Sequence, residues 1–506
     1  MPVAQSSLRD DYPTPQPLPR VETRRYPHAV ATRRIVRRLR CSTIGRPPTV
    51  DWRSMASENA PSDPPAHQLR RSFGLLQATA MNTSNMVGVG PFLTIPLILG
   101  TMGGPQALLG WIVGAVLAIC DGMIWAELAS AIPSSGGTLE YLKVAYVGTR
   151  LGRLLPFLFI WQFILSGPLE IASGTIGFAQ YAAYIVPLAP AAVKCVAVGA
   201  ALLTVFLLYR KIESVGRLMV TLWLGMILTI AITLFSGLWH FNAHTAFAFP
   251  AGAFTISGKF LFGLGAAMSI AMYDLFGYYS VCYIGDEVKD PARVIPRSIF
   301  ISVLAIAAVY LAMNISIISV VPWQEAMKSE SIGADFMERI HGPTVARLVS
   351  GLICWTALAS VFALLLGYSR IPYAAARDGY FFSAFSKLHP RGDFPYISLL
   401  VMGGVSAVAS CFQLDEVISA LMCTRILVQF IAQIGAVSLL RKQKHKVSGY
   451  RMALYPLPSV VALVGWVFIF ATAGTWYIVG GLGTVALGVV AYFAWSWWQG
   501  VAPADA

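Results

Sequence analysis

Apolar segments of about 20 residues dominate the chain and follow one another from residue 73 to residue 498. A helix of this length crosses the roughly 30 Å of hydrocarbon in a bilayer, so each segment predicts one membrane span. The sequence therefore predicts an all-α polytopic membrane protein. We place twelve spans, at 73–99, 107–131, 154–186, 192–209, 218–239, 260–285, 298–321, 345–369, 395–411, 417–440, 454–474 and 476–498.

Composition and motif content exclude several other classes of protein. Of the 506 residues, 56% are hydrophobic and only 12% are charged, which excludes a soluble enzyme of ordinary composition. The cysteines form no CxxC pair and the histidines lie in the tail, in loops or at span ends, so no metal site is expected. The phosphate-binding pattern GxxxxGK[ST] does not occur, which argues against transport driven by ATP. We expect neither enzyme activity nor a bound cofactor.

The positive charge is distributed as membrane topology requires. The formal net charge is +13, of which residues 1–72 contribute +7 through 13 Arg and 6 acidic residues. With the N-terminus inside, the inner loops carry 18 Lys and Arg and the outer loops carry 5. This asymmetry predicts that both termini are cytoplasmic. We expect a multi-pass protein of the plasma membrane, or of the inner membrane in a bacterium, in contact with lipid and not with nucleic acid.

The chain divides into a tail and a membrane domain. Residues 1–66 are rich in Arg and Pro, show no apolar periodicity and lack the apolar core of a signal peptide, so we expect a disordered tail. Translation from Met55 is the alternative to a tail of full length. The membrane domain is expected at 67–500, with a first repeat at 73–239, a second at 260–440 and extra helices at 454–498.

Two of the spans carry helix-breaking residues at mid-membrane. Span one contains Gly88 and Gly90 followed by Pro91, which has no N–H donor and disfavours helix at the residue before it. Span six is interrupted around Tyr273 to Gly277. Broken backbone is tolerated in a membrane only where it is buried or lines a cavity. Breaks in the first and sixth spans predict inverted five-helix repeats around a central substrate site. The alternative is that the glycines only allow close helix packing.

Such breaks are suited to binding a zwitterion. Freed N–H groups and the N-terminal ends of half-helices attract a carboxylate, whereas freed carbonyls and C-terminal ends attract an ammonium group or a cation. An amino acid uses both kinds of contact. A polyamine would use only the second kind, together with fixed negative charge.

Two carboxylates at mid-span are the strongest indication of function. Asp274 in span six and Glu170 in span three each cost about 2.5 to 3.5 kcal/mol at the membrane centre, so we expect both to have a role. Burial disfavours the charged form of a carboxyl group, which makes both residues candidates for proton coupling. A proton gradient is the expected energy source and Na⁺ is the alternative. For Glu170, a protonated hydrogen bond between helices is a further alternative.

The other charged residues in spans give weaker indications. Asp121 and Glu127 both lie in span two, and Glu127 is close to the cytoplasmic end, where we expect a structural pairing with an inner-loop cation or a helix cap. Arg425 in span ten has two interpretations, since it can extend to the membrane interface or pair with a buried carboxylate. Tyr273, beside Asp274, is the preferred candidate for a lid over the substrate.

Four motifs together resemble the amino acid, polyamine and organocation permease superfamily. They are GVGPF in span one, WAELASAIPSSGGTLEYL after span two, GDEVKDPARVIPRSI after span six and GYSRIPYAAARDGYF after span eight. The resemblance covers about 65–500 and implies the fold with an inverted repeat and broken helices 1 and 6. It also implies that Gly88, Val89 and Gly90 contact a substrate carboxylate and that Tyr273 corresponds to a gating aromatic residue.

Within the superfamily the chain is most similar to the branch that includes polyamine-uptake carriers. The turn at Val89 to Phe92 and the acidic Glu170 match that branch, but Tyr279 and Gln429 stand where it carries acids. A superfamily sodium site would use span-eight hydroxyls such as that of Ser360. The expected substrate-binding residues are Gly88, Val89, Gly90, Glu170, Tyr273, Asp274 and Gly277.

The expected function is secondary active transport by alternating access, with symport of protons. The expected substrate is an amino acid, cationic amino acids included, or a polyamine. The alternative is a sensor that binds amino acids without transporting them, for which the arginine-rich tail would be the signalling arm. The expected partners are the small-molecule substrate and the bilayer, and the sequence does not indicate an oligomeric state.

Overall fold

The structure, a computed structural model, describes residues 71, 73–134, 136–209, 213–390, 394–442 and 449–499, without the side chains of 213–223, 286 and 499. The predicted tail at 1–66 and the alternative start at Met55 lie outside the described residues. The longer helices are α1 (Leu75–Met86), α2 (Gly90–Met102), α3 (Leu109–Ala131), α4 (Thr138–Ala145), α5 (Leu154–Ile185), α6 (Pro190–Leu208), α7 (Glu213–Trp239), α8 (Gly258–Leu275), α9 (Pro291–Val320), α10 (Ile332–Tyr368), α11 (Arg370–Arg377), α12 (Tyr396–Ala409), α13 (Leu414–Arg425), α14 (Ala432–Lys442), α15 (Leu457–Thr472) and α16 (Thr475–Gln499).

Two of the predicted spans also contain helical segments that are not α-helical. A 3₁₀ segment at Ser280–Glu287 follows α8, and a π-helical segment at Ile426–Ile431 joins α13 to α14. In the described part of the chain, eight helical stretches are long and apolar enough to cross a bilayer, α1 and α2 form one further bent pair, and three shorter apolar helices complete the set. These twelve apolar segments match the number of spans predicted.

The break in span one lies where its Gly and Pro residues predicted it. The axes of α1 and α2 meet at 57°. Val87, which follows α1, has extended backbone angles. Pro91 lies in the first turn of α2, where its missing N–H costs no helical hydrogen bond. The first span therefore consists of two half-helices.

The break in span six occupies only the C-terminal end of the predicted range, Tyr273 to Gly277. Helix α8 continues to Leu275, and the chain leaves helical geometry at Phe276 and Gly277, where Gly277 has φ +108°. The expected start of the break at Tyr273 is wrong, and Tyr273 and Asp274 form the last turn of α8. The reason is that a polar side chain does not interrupt helical hydrogen bonding, whereas a positive φ does.

The two breaks lie against each other. A Cβ atom on Gly277 would overlap the backbone at Asn85 and Met86, so glycine is required for this approach. Val281 N donates a 2.8 Å hydrogen bond to the side-chain oxygen of Asn82, and Tyr310 OH donates one of 2.8 Å to the carbonyl at the end of α1. Around this junction, α5 packs along α10, and α3 packs along α8 and α9.

Candidate functional site

A small cavity lies at the junction of the two breaks. Its volume is about 40 Å³, and its walls come from α1, the first break, α5, α8 and α10. Six of the seven predicted substrate-binding residues line it. The lining residues are Asn85, Met86, Gly88, Val89, Gly90, Glu170, Ser173, Gly174, Tyr273, Asp274, Phe276, Ser360 and Leu364.

A larger cavity of about 510 Å³ continues from this pocket to the predicted cytoplasmic end. The two cavities share Asn85, Glu170, Phe276 and Leu364, and the larger one includes Gly277, the seventh predicted residue. Its outer wall reaches α11 and the residues that precede α4, which adjoin the loops rich in Lys and Arg.

A third cavity, of about 520 Å³, opens at the opposite end of the bundle and shares no lining residue with the central pocket. Tyr181 is buried among the helices on this side of the bundle. Its hydroxyl donates to the carbonyl of Phe92 at 2.7 Å and accepts from Gly333 N at 3.0 Å, which ties α5, α2 and α10 together. The central pocket therefore shares walls with the cavity towards the predicted cytoplasmic end and none with the cavity at the other end.

Asp274 is buried and only half satisfied. The side chain of Thr94 donates a 2.5 Å hydrogen bond to Asp274 Oδ2. Oδ1 has no hydrogen-bond partner in the described part of the molecule and lies directly against Gly90, where a Cβ atom would collide with it. A carboxylate with one unpaired oxygen at the break in α1–α2 can accept a proton or a hydrogen bond from a ligand.

Glu170 has charged and polar partners. Its Oε2 atom lies 2.7 Å from Arg425 Nη1 and accepts a 2.8 Å hydrogen bond from Tyr368 OH. Both ionic side chains are largely withdrawn from solvent, with 11% of Glu170 and 1% of Arg425 exposed. Of the two interpretations given to Arg425, the structure selects the pairing with a buried carboxylate. Because the pair is neutral overall, Glu170 contributes little net charge to the pocket.

Tyr273 is held beside the pocket by Ser173. Their hydroxyl oxygens are 2.6 Å apart, and Ser173 also donates to the backbone carbonyl of Glu170. On the opposite wall Ser360 lies close to Gly88, whose Cβ atom, if present, would be 3.0 Å from Ser360 Oγ. Gly88 therefore allows α10 to approach the first break.

The carboxylates of span two lie away from the pocket. Asp121 accepts hydrogen bonds from Tyr278 OH at 2.6 Å and from Trp466 Nε1 at 2.9 Å. Glu127 accepts two hydrogen bonds of 2.6 Å from Arg441, a cation of the predicted inner loops. The pairing of Glu127 with an inner-loop cation is therefore confirmed.

Sequence reasoning missed Thr94 and Ser173, which hold Asp274 and Tyr273. Both lie on apolar helices, and hydroxyl residues are common in membrane spans, so neither carries a distinctive sequence signal. Among the described residues, no group of three or more His, Cys, Asp or Glu side chains is arranged to hold a metal ion.

The family model for amino acid permeases matches residues 73–496. The chain belongs to this amino acid permease family. It is 23% identical over 410 residues to the serine/threonine exchanger SteT of Bacillus subtilis (strain 168), covering 80% of this chain and 91% of that protein. It is 22% identical over 453 residues to the branched-chain amino acid permease BcaP of the same organism, covering 85% of this chain and 93% of that protein.

A human relative is also similar. The Asc-type amino acid transporter 1 is 26% identical over 361 residues, which cover 67% of this chain and 65% of that protein. Membership of the amino acid permease family confirms the predicted superfamily and the class of multi-pass membrane transporter in place of an enzyme. The similarity to the polyamine branch stays a prediction.

Proposed function

We propose that this permease is a secondary active transporter of amino acids with neutral side chains. The observation that carries the proposal is the meeting of two opposite helix ends at one buried pocket. The N-terminus of α2 at Gly90 is the positive end of that half-helix and suits a carboxylate. The C-terminus of α8 at Leu275, beside Asp274, suits an ammonium group.

Asp274 is proposed as the proton-coupling residue. Its Oδ1 atom is buried, unpaired in the described structure and directed at the first break. Binding of a substrate ammonium group would favour the charged carboxylate, and release would favour its protonation. Glu170 is the second proton candidate, but the ion pair with Arg425 already stabilises its charged form. Sodium, near Ser360, is the alternative coupling ion.

Alternating access is the proposed mechanism. We assign the structure to one end state of the transport cycle. The larger cavity extends towards the predicted cytoplasmic end, and on the other side Tyr181 is hydrogen-bonded to Phe92 and Gly333. Movement of the proposed repeats, 73–239 against 260–440, would exchange the closed and open sides. Tyr273 would form part of the lid. We place the protein in the plasma membrane, or a bacterial inner membrane, with both termini cytoplasmic.

A polyamine is the second candidate substrate. It is favoured by the two acidic residues, Glu170 and Asp274, that line one small pocket. Arg425 weighs against it, because it supplies the counter-charge that a polyamine would bring to Glu170. The names of two relatives refer to serine, threonine and branched-chain amino acids, which supports the neutral class for this chain.

The test is uptake by purified protein in liposomes, with radiolabelled neutral amino acids, cationic amino acids and polyamines, under an imposed proton or sodium gradient. We expect uptake of a neutral amino acid that depends on the proton gradient. Asp274→Asn should abolish this dependence, whereas the matched control Asp290→Asn, at an exposed carboxylate, should transport normally. Gradient-dependent uptake by Asp274→Asn equal to that of the wild type would refute the coupling role.

A further inference from the structure

Arg425 occupies an unusual position for a charged residue. It ends α13, immediately before the π-helical segment Ile426–Ile431, and only 1% of its side chain is exposed. Its Nε atom donates a 3.3 Å hydrogen bond to Ser166 Oγ. Beyond the ion pair with Glu170, its terminal nitrogens make no hydrogen bond to any described residue. The guanidinium is therefore held mainly by charge and by aromatic rings.

Three aromatic rings and one carboxylate enclose this guanidinium. Its central carbon lies 5.3 Å from the ring centre of Phe276 and 5.7 Å from those of Phe163 and Tyr368. Cations within about 6 Å of a ring centre are attracted by the ring's quadrupole. A carboxylate completes the set of contacts that proteins use to recognise an organic cation. The same enclosure would hold the guanidinium or ammonium group of a ligand.

The enclosure is part of the wall of the substrate path. Phe163, Glu170, Phe276 and Tyr368 all line the cavity of about 510 Å³ that leads to the central pocket. Arg425 lies behind them and fills the space between their side chains. A shorter side chain at position 425 would join this space to the cavity and leave Glu170 without its counter-ion.

We propose that Arg425 determines substrate charge by permanently filling a compartment that would otherwise bind a cationic side chain. With Arg425 present, the compartment is neutral and closed, so cationic amino acids and polyamines are excluded. Without it, the compartment is anionic and lined by aromatic rings. The assignment deepens the proposed function and rests on it for transport, but the binding of cations tests it directly.

The experiment measures binding of agmatine and L-arginine to purified protein by isothermal titration calorimetry and by thermal stabilisation. We expect Arg425→Ala and Arg425→Met to bind both cations more tightly than the wild type, on the order of tenfold. Arg425→Lys keeps the internal cation and should show no gain. The double variant Glu170→Gln, Arg425→Met has the space left by Arg425 but lacks the carboxylate. It should also show no gain in affinity for either cation.

Wild-type protein that binds agmatine as tightly as Arg425→Met would overturn the proposal. Equal binding by the double variant would also overturn it, since the carboxylate would then have no part. If Arg425→Ala is recovered folded only when agmatine is present during purification, the ligand has replaced the lost cation, as proposed. Failure to recover either single variant folded, with or without agmatine, counts against it. If the wild-type protein shows no amino acid uptake, only the proposed transport function is refuted. The binding results do not depend on flux and still test the role of Arg425.

Discussion

Asp274 Oδ1 lies in the space that a side chain on Gly90 would occupy. The two residues are far apart in the chain and belong to different half-helices, and their contact brings the break of span one to the last turn of α8. The missing side chain at Gly90 is therefore what allows a carboxylate to reach the start of α2.

Gly90→Ala should strongly reduce transport because the new methyl group would displace Asp274 Oδ1. We expect a loss of uptake rate of about tenfold or more, since small displacements at a reacting or binding group have effects of this size. Liposome uptake measures the loss. Gly100→Ala is the matched control, because it lies in the same helix with open space at its Cβ position. Equal uptake by both variants would contradict the importance of this contact.

Thr94→Val should weaken transport by removing the hydrogen bond to Asp274 Oδ2. A hydrogen bond to a charged group contributes about 1.5 to 3 kcal/mol, so we expect an uptake rate lower by about tenfold or more. Thr94→Ser retains the hydroxyl and should preserve most of the activity. If Thr94→Ser is as impaired as Thr94→Val, the methyl group and not the hydrogen bond is what matters.

Glu127 and Arg441 should show energetic coupling in a double-mutant cycle. They form two hydrogen bonds of 2.6 Å, and Met452 N donates a third to Glu127 at 2.9 Å. We expect a coupling free energy of about 1 to 3 kcal/mol between Glu127→Gln and Arg441→Met, measured by denaturant unfolding in detergent. Because Arg441 also stacks on Tyr455, its single variant should be the more destabilised. Strictly additive effects would show that the pair contributes nothing.

Lys143 should stabilise the protein up to unusually high pH. Burial disfavours its charge, but the hydrogen bond and charge of Glu140, together with Asp378, raise the pKa of Lys143 above its ordinary value of 10.5. Because the pKa is raised on folding, the contribution of Lys143 to stability is complete below its unfolded-state pKa. That contribution is lost as the pH rises through its folded-state pKa. The difference in melting temperature between wild type and Lys143→Met should thus be constant from about pH 7 to about pH 9.5 and should shrink only at higher pH.

The control for Lys143 is Lys289→Met, at an exposed lysine of another predicted inner loop. It should change the melting temperature little at any pH, because surface charges contribute roughly 0 to 1 kcal/mol. A Lys143→Met difference that disappears between pH 7 and pH 9 would show that Glu140 and Asp378 do not hold the ammonium group.

Features with local causes could be predicted from the sequence. The run from Gly88 to Pro91 breaks a helix through its own backbone chemistry, and the structure has the break there. The predicted break of span six, Tyr273 to Gly277, began too early but ended at the correct residue, because the positive φ of Gly277 ends the helical geometry. The location of Glu127 near basic loop residues was enough to predict its pairing with a cation.

The sequence by itself determined the number of spans, the break in span one and the presence of carboxylates at mid-membrane, because hydrophobic length and backbone preferences act within one segment. Only the tertiary structure decided that Asp274 faces Gly90 and that Arg425 pairs with Glu170 inside an aromatic enclosure. Such contacts join residues from different helices, and their charges act over a few ångströms in a medium of low polarity. Their partners therefore depend on how the helices pack, which no single segment specifies.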